Sequence, residues 1–331
     1  MIVVTGGAGF IGSNLVAGLE LAGGELATPI VVCDRFGCDD KWRNLAKREL
    51  RALVPPERLF AFLDENLDQI KTIYHLGAIS ATTERDVDLI VETNFVLSVA
   101  LWHWCARHRI RFIYASSAAS YGDGACGFDD DGRPRALALL RPLNPYGWSK
   151  HAFDRFVVRT VAEGGAAPPQ WAGLKFFNVY GPNEYHKGDM ASVIFKLYPV
   201  IRSGAPARLF KSHRSDFVDG GQSRDFIWVG DCVSVMLWLG ATPAVCGLFN
   251  VGTGQARSFK DLALATFAAA GIAPNIEYID MPEHLRDRYQ YFTQAAMARL
   301  RLAGYHTPFT TLEDGVGAYV ADYLSASDPY R

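Results

Sequence analysis

Met1-Ile2-Val3-Val4-Thr5-Gly6-Gly7-Ala8-Gly9-Phe10-Ile11-Gly12 opens the chain. A short apolar run leads into Gly6, Gly9 and Gly12. The residues after them place Ile11, Leu15 and Leu19 on one helical face. The pattern predicts strand, turn and helix. Residues without a Cβ let the main chain approach a pyrophosphate, and a helix N-terminus offers N–H donors and a positive dipole. Gly6, Gly9, Phe10, Ile11 and Gly12 are therefore the candidate contacts of a dinucleotide. Read alone, the same glycines could serve only a tight turn.

Outward from that turn the first half alternates strand-like and helix-like segments. Strands are expected at Ile2–Thr5, Ile30–Asp34, Thr72–His75, Phe112–Ser116 and Ala172–Phe177. Helices are expected at Phe10–Ala22, near Trp42–Leu53, at Asp86–Arg107 and at Pro145–Val161. The strand segments are nearly continuous in apolarity, as in a sheet covered on both faces. After about residue 177 loops lengthen and Gly, Pro, His and basic residues cluster. The expected fold is α/β: a doubly wound parallel sheet (Rossmann) with a smaller C-terminal α+β substrate domain. Its division would be 1–177, with 225–250 returning to it, for the cofactor, and 178–224 with 251–331 for the substrate. The polar segment Lys211–Ser223 reads as an exposed insertion or a mobile flap.

Asp34 closes the second strand, at the distance where a carboxylate meets an adenosine ribose. Arg35 and Lys41 follow. A cation beside that ribose would favour a 2′-phosphate and hence NADP, with NAD left open because both could be solvated surface charges.

Composition narrows the classes. A chain of 331 residues with 49% hydrophobic and 21% charged residues can bury a large core. A formal charge of −2 argues against a general grip on nucleic acid or an anionic membrane surface. No uninterrupted apolar run approaches ~18 residues, so no membrane-crossing helix is expected. The start lacks the basic region of a signal peptide. Six cysteines without CxxC spacing suit reduced thiols, and no metal is expected. A cytoplasmic protein is the expectation.

Ser116 and Ser117 end an expected strand, where α/β sheets present groups to ligands. About thirty residues later Tyr146 and Lys150 share one face of a helix at i, i+4. A free phenol is a poor base at neutral pH. A nearby ammonium and a cationic nicotinamide should both lower its pKa. Tyr146 is thus a candidate acid/base, Lys150 its electrostatic partner and a ribose contact, and Ser117 a donor to the substrate oxygen. Alone, Tyr-x-x-x-Lys is an exposed helix pair more often than a catalytic one; the glycine turn upstream reverses that.

Together, Thr5–Gly12, His75-Leu76-Gly77-Ala78, Asn94, Ser116–Gly122 and Tyr146–Lys150 resemble the extended short-chain dehydrogenase/reductase superfamily. The resemblance implies that Leu76, Gly77, Ala78, Ile79, Ser80, Asn94 and Val179 line the cofactor. Sugar 4,6-dehydratases of that superfamily carry Asp-Glu where this chain has Ala118-Ala119, so dehydration is disfavoured. Phe176–Pro182 followed by His186-Lys187-Gly188-Asp189-Met190-Ala191-Ser192 resembles the ADP-glyceromanno-heptose 6-epimerase family, as do Arg224–Asp231, Leu248–Gly254 and Arg288–Ala295. That resemblance implies inversion at C6″ of an ADP-heptose for the lipopolysaccharide core. It makes Lys187 a second acid/base near the cofactor and implies a homo-oligomer, pentamers included. Asn178 would meet sugar or pyrophosphate, Arg224 would clamp phosphate, and Phe210 and Tyr289 would pack on adenine or sugar. Asp189, Lys196 and His213 complete the candidate substrate residues. Asp189 and Lys196 depart from the family's usual small hydroxyl residue and His; Leu76, Ile79 and a longer 211–223 loop depart too.

Two proton-transfer groups suit epimerisation. If the ketone turns over beside a fixed nicotinamide, its oxygen meets a different protein group on return. The alternatives are another nucleotide-sugar 4-epimerase, or a non-catalytic NADP-binding regulator, which would need the glycine turn but not Ser117, Tyr146 and Lys150.

Overall fold

A computed structural model describes residues 1–23, 28–286 and 289–331. Its strands are β1 Ile2–Thr5, β2 Ile30–Cys33, β3 Ala52–Val54, β4 Thr72–His75, β5 Arg111–Ser117, β6 Trp171–Phe176, β7 Asn178–Tyr180, β8 Ala207–Phe210, β9 Ser223–Trp228, β10 Gly247–Val251, β11 Ala256–Ser258 and β12 Ile276–Ile279. Seven of them form one parallel sheet in the order β10-β6-β5-β4-β1-β2-β3. Because strand side chains alternate, Val3, Val31, Ile73 and Phe112 join a core on one face. Val4, Val32, Tyr74 and Ile113 join another on the opposite face. That two-sided burial explains the unbroken apolar runs. Helices Leu97–His108 and Pro145–Ala162 cover the first face, and Phe10–Gly23 and Val229–Ala241 the second. The chain reverses its direction of travel across the sheet between β1 and β4. A crevice therefore opens at their carboxyl ends.

One expectation fails here. Trp42–Leu53 is not a helix: Asp40–Leu45 is a 3₁₀ turn capped by Asp39, and the chain then enters β3. Three residues are too few to show a period. The helical run Val87–His108 is also long and apolar enough to cross a membrane by length and composition. Its Ile90, Leu101, Trp102 and Cys105 are instead buried in the protein. Its middle, Val91–Val96, is a π-turn.

Beyond β6 the chain builds smaller sheets, β11-β9-β7 and β12-β8. They share a third core of Tyr180, Ile194, Leu197, Leu209, Phe267 and Tyr319. The 211–223 segment is tied down at its base. Lys211 pairs with Asp280 at 3.3 Å, and the His213 N–H donates to the Tyr291 hydroxyl at 2.9 Å.

Candidate active site

The glycine turn closes on itself. Gly6 has φ +68, and a Cβ there would lie 2.5 Å from the Gly77 nitrogen; one at Gly12 would lie 2.1 Å from the Gly6 carbonyl. These two glycines let β1, the loop after β4 and the first helix touch. Gly9 differs: a Cβ there would meet only the Gly6 oxygen, at 3.1 Å. Gly9 and the partnerless first N–H groups of the helix face the open side of the turn. That is a cradle of the shape and polarity a pyrophosphate requires.

Asp34 follows β2. One carboxylate oxygen accepts from the Ala8 N–H at 2.8 Å, and the other from the Arg35 N–H and Lys41 Nζ at 2.7 Å each. Lys41 thus sits on the carboxylate that would face the adenosine ribose. Arg35 turns outward to pair with Glu57. Leu76, Gly77, Ala78 and Ile79 run along the crevice half-buried, and Ser80 is exposed. Asn94, expected to line the cofactor, is fully buried with both ends of its amide used. Its oxygen accepts from the Ile79 N–H at 2.9 Å, and its nitrogen donates to the Ile79 carbonyl and the Ser149 hydroxyl at 3.0 Å each. It fixes the cofactor loop to the helix bearing Tyr146, and the π-turn supplies the bulge that aims it.

That helix starts where it does because Asn144 caps it, accepting from the Gly147 N–H at 2.8 Å, with Pro145 in its first turn. Tyr146 therefore sits half-buried in the first turn, near Ser117 at the end of β5. Burial raises its pKa and the nearby Ser117 hydroxyl offsets part of that. Lys150 is itself buried, which lowers its pKa to about 8 against the supporting charge of Asp154.

Asp154, one turn beyond Lys150, was not anticipated. Its carboxylate accepts from Tyr114 at 3.0 Å, Ser116 at 2.7 Å and Lys175 Nζ at 2.6 Å. Both charges are fully buried, and Lys175 donates onward to Ser120 at 2.7 Å. The i, i+4, i+8 series Tyr146, Lys150, Asp154 was the signal in the sequence. His75 was also unassigned. Ser98 spends its proton on the Asn94 carbonyl at 2.6 Å, so the His75 Nε2–H donates to Ser98 at 2.8 Å, and Nδ1 accepts from Thr5 at 2.7 Å. Burial lowers its pKa to about 3, which keeps it neutral.

Lys187 lies in the 3₁₀ segment Tyr185–Met190, where its ammonium stands 5.6 Å from the centre of the Phe10 ring. Burial lowers its pKa against the nearby Glu184. Glu184 anchors the loop by accepting from the Ser192 N–H and hydroxyl and from Tyr319. The fold therefore brings Lys187 to the glycine turn. Asp189 and Lys196 are both exposed, and Lys196 donates to the Asp189 carbonyl. Asn178 is exposed at the start of β7, and Val179 is half-buried behind it.

Arg224 is buried between two rings, 5.6 Å from Phe259 and 5.3 Å from Tyr289. Phe210 meets Tyr289 edge-on at 6.2 Å. The guanidinium donates to the Ser223 carbonyl at 2.9 Å, which leaves most of its donor capacity open to an anion. His213 is exposed, its Nε2 accepting from the Met281 N–H at 3.3 Å. Arg288 lies outside the described residues.

The chain as a whole resembles known proteins. The NAD dependent epimerase/dehydratase family model matches residues 2–252. The chain is 50% identical to an ADP-L-glycero-D-manno-heptose-6-epimerase of Nitratidesulfovibrio vulgaris (strain DP4) and 45% identical to one of Fusobacterium nucleatum, each over the whole of both chains. A crystal structure of the Helicobacter pylori ADP-L-glycero-D-manno-heptose-6-epimerase superposes with a TM-score of 0.79 at 26% identity, covering 98% of this chain and 96% of that one. A glycine turn, a Ser-Tyr-Lys set and a match extending from the second residue through β10 place the chain in the NAD dependent epimerase/dehydratase family.

Proposed function

We propose that this enzyme epimerises ADP-D-glycero-β-D-manno-heptose at C6″ to ADP-L-glycero-β-D-manno-heptose, supplying the lipopolysaccharide core. The observation that carries the reading is end-to-end identity of 45–50% with proteins of that activity. The presence of a second amine, Lys187, beside the glycine turn supports it.

A dinucleotide held at the glycine turn would supply the hydride acceptor and donor. Tyr146, polarised by Ser117, holds or gives the proton of the C6″ oxygen in one orientation of the sugar. Lys187 does so in the other; burial lowers its pKa towards the range useful for proton transfer. Lys150 supplies charge beneath the phenol and a donor for the nicotinamide ribose. Arg224, between Phe259 and Tyr289, holds the ADP diphosphate, with Asn178 on the sugar side.

NADP is the cofactor that Lys41 favours, since its ammonium covers the Asp34 carboxylate and would face a 2′-phosphate. In the division that accompanies this reading, 1–177 and 225–250 hold the cofactor, and 178–224 with 251–331 hold the sugar nucleotide. A cytoplasmic homo-oligomer, in the resembled family a pentamer, goes with it.

The test is NMR of the purified enzyme with ADP-D-glycero-β-D-manno-heptose in heavy water. The L-glycero product should appear without deuterium at C6″. No inversion would remove the proposal, and deuterium at C6″ would replace hydride transfer with proton abstraction.

A further inference from the structure

Lys187 sits on a loop whose place depends on side chains far from it in sequence. Three buried asparagines stitch that loop to the glycine turn. Asn14 Nδ2 donates to the carbonyls of Phe10 and Pro182 at 2.9 Å each. Asn44 Nδ2 donates to the Ala8 carbonyl at 2.8 Å and the Asn183 carbonyl at 3.1 Å. Asn183, held at φ +71, donates to the Ser13 hydroxyl at 3.0 Å. The acceptors of two of these amides are filled from the last residue of the chain. The Arg331 N–H donates to Asn183 Oδ1 at 3.0 Å, and its guanidinium to Asn14 Oδ1 at 3.1 Å. Without those donors, two buried amide oxygens would lose their partners.

The residues before Arg331 grip the same loop and its neighbour. The Tyr185 hydroxyl donates to the Pro329 carbonyl at 2.7 Å, and its ring meets Tyr330 edge-on at 5.2 Å. Arg43 stacks over Tyr330 at 5.2 Å, and Lys47 pairs with Asp328 at 2.9 Å while donating to the Tyr330 carbonyl. Tyr185 is two residues from Lys187. We infer that residues 328–331 form a clasp that positions Lys187 over the glycine turn, a role that rests on Lys187 being the second acid/base. The clasp residues are positioning residues: they act through Lys187 and do not touch the reacting atoms.

The clasp matters because proton transfer tolerates little displacement, and a misplacement of about 1 Å costs on the order of a hundred-fold in rate. The experiment compares the intact protein with a chain ending at Ser327 and with Arg331→Ala, Tyr330→Ala and Tyr330→Phe. Three readings are taken: acetic anhydride labelling of Lys187 relative to exposed Lys71, followed by mass spectrometry; bound NADP; and kcat and KM for the ADP-heptose. The expected result is faster Lys187 labelling and a kcat lowered about ten- to a hundred-fold, with NADP content and KM held. Tyr330→Phe should behave as the parent, because the ring and main chain make the contacts. Unchanged Lys187 labelling in the shortened chain and in Tyr330→Ala overturns the inference, as does Tyr330→Phe failing as badly as Tyr330→Ala. If the shortened chain fails to fold, the point variants decide by the same readings. An intact protein without epimerase activity would sink the proposed function, yet the labelling would still decide the clasp.

Discussion

Replacing Asp154 with Asn should cost the protein more than any other single-atom change near the site. The substitution removes the carboxylate that pairs with Lys175, whose ammonium is fully buried, and leaves that charge with Ser120 and the face of Tyr121 at 5.0 Å. Stranding one member of a buried pair costs about 3–5 kcal/mol. At roughly 2.1 cal/mol/K per residue, a chain of 331 residues unfolds with an entropy near 0.7 kcal/mol/K, so the melting temperature should fall by about 4–7 °C. Asp154 also supports the charge of Lys150, so the Lys150 pKa should drop below its present value of about 8. The alkaline limb of the kcat profile should move down with it. Calorimetry of Asp154→Asn, Lys175→Met and the double variant Asp154→Asn/Lys175→Met tests the account. The double variant should recover most of the loss, because the neutral pair strands no charge and the Asn oxygen can still accept from a hydroxyl. A melting temperature within about 1 °C of the parent for Asp154→Asn, or a double variant as unstable as the sum of the singles, would refute the reasoning.

Arg224→Ala should raise KM for the sugar nucleotide about ten- to a hundred-fold, the value of one or two charge-assisted hydrogen bonds, without loss of bound NADP. Arg224→Lys should not rescue it, since an ammonium cannot fill the slot between Phe259 and Tyr289; an unmoved KM would dismiss the clamp. Lys41→Ala should erode the preference for NADP over NAD, measured by reconstituting the cofactor-free protein with each dinucleotide, and an unchanged ratio of the two Kd values would count against Lys41. Asp130 gives a pH signature. Burial raises its carboxyl to about 6, so the folded chain binds the extra proton between about pH 4 and 6, and this contribution to stability falls as pH rises through that window. Asp130→Asn should flatten that slope in denaturant titrations and add on the order of 2 kcal/mol at pH 7. A slope that persists in the variant assigns it to other groups.

Local pattern revealed what local physics controls. β1, β2, β4, β5 and β6 were legible because burial on both faces leaves runs such as Ile2–Thr5 and Thr72–His75 with few polar interruptions. The helix from Pro145 was legible because Asn144 and Pro145 mark its start. β3 escaped because three residues carry no period, and the preceding turn resembles a helix in composition. At the site, Tyr146 and Lys150 lie one turn apart and Lys187 sits in a distinctive run. The tie between Asp154 and Lys175 crosses from helix to strand, and that between Arg331 and Asn14 spans nearly the whole chain, so no window of sequence contains either. Asn94 shows a subtler limit. Its position beside the cofactor loop was readable, but that its amide would be spent on Ile79 and Ser149 depends on a π-turn that spacing does not announce.

The contact of Gly12 with Gly6 also sets which changes this protein can absorb. A methyl group at position 12 would collide with a main-chain carbonyl, which no partner mutation can trim. At Gly18, farther along the same helix, the colliding atom is a methyl of Val233, and shortening that side chain would make room. Substitutions at position 18 thus have a second-site route to rescue, and substitutions at position 12 have none. Libraries aimed at this turn should hold Gly12 fixed and search for compensation around Gly18.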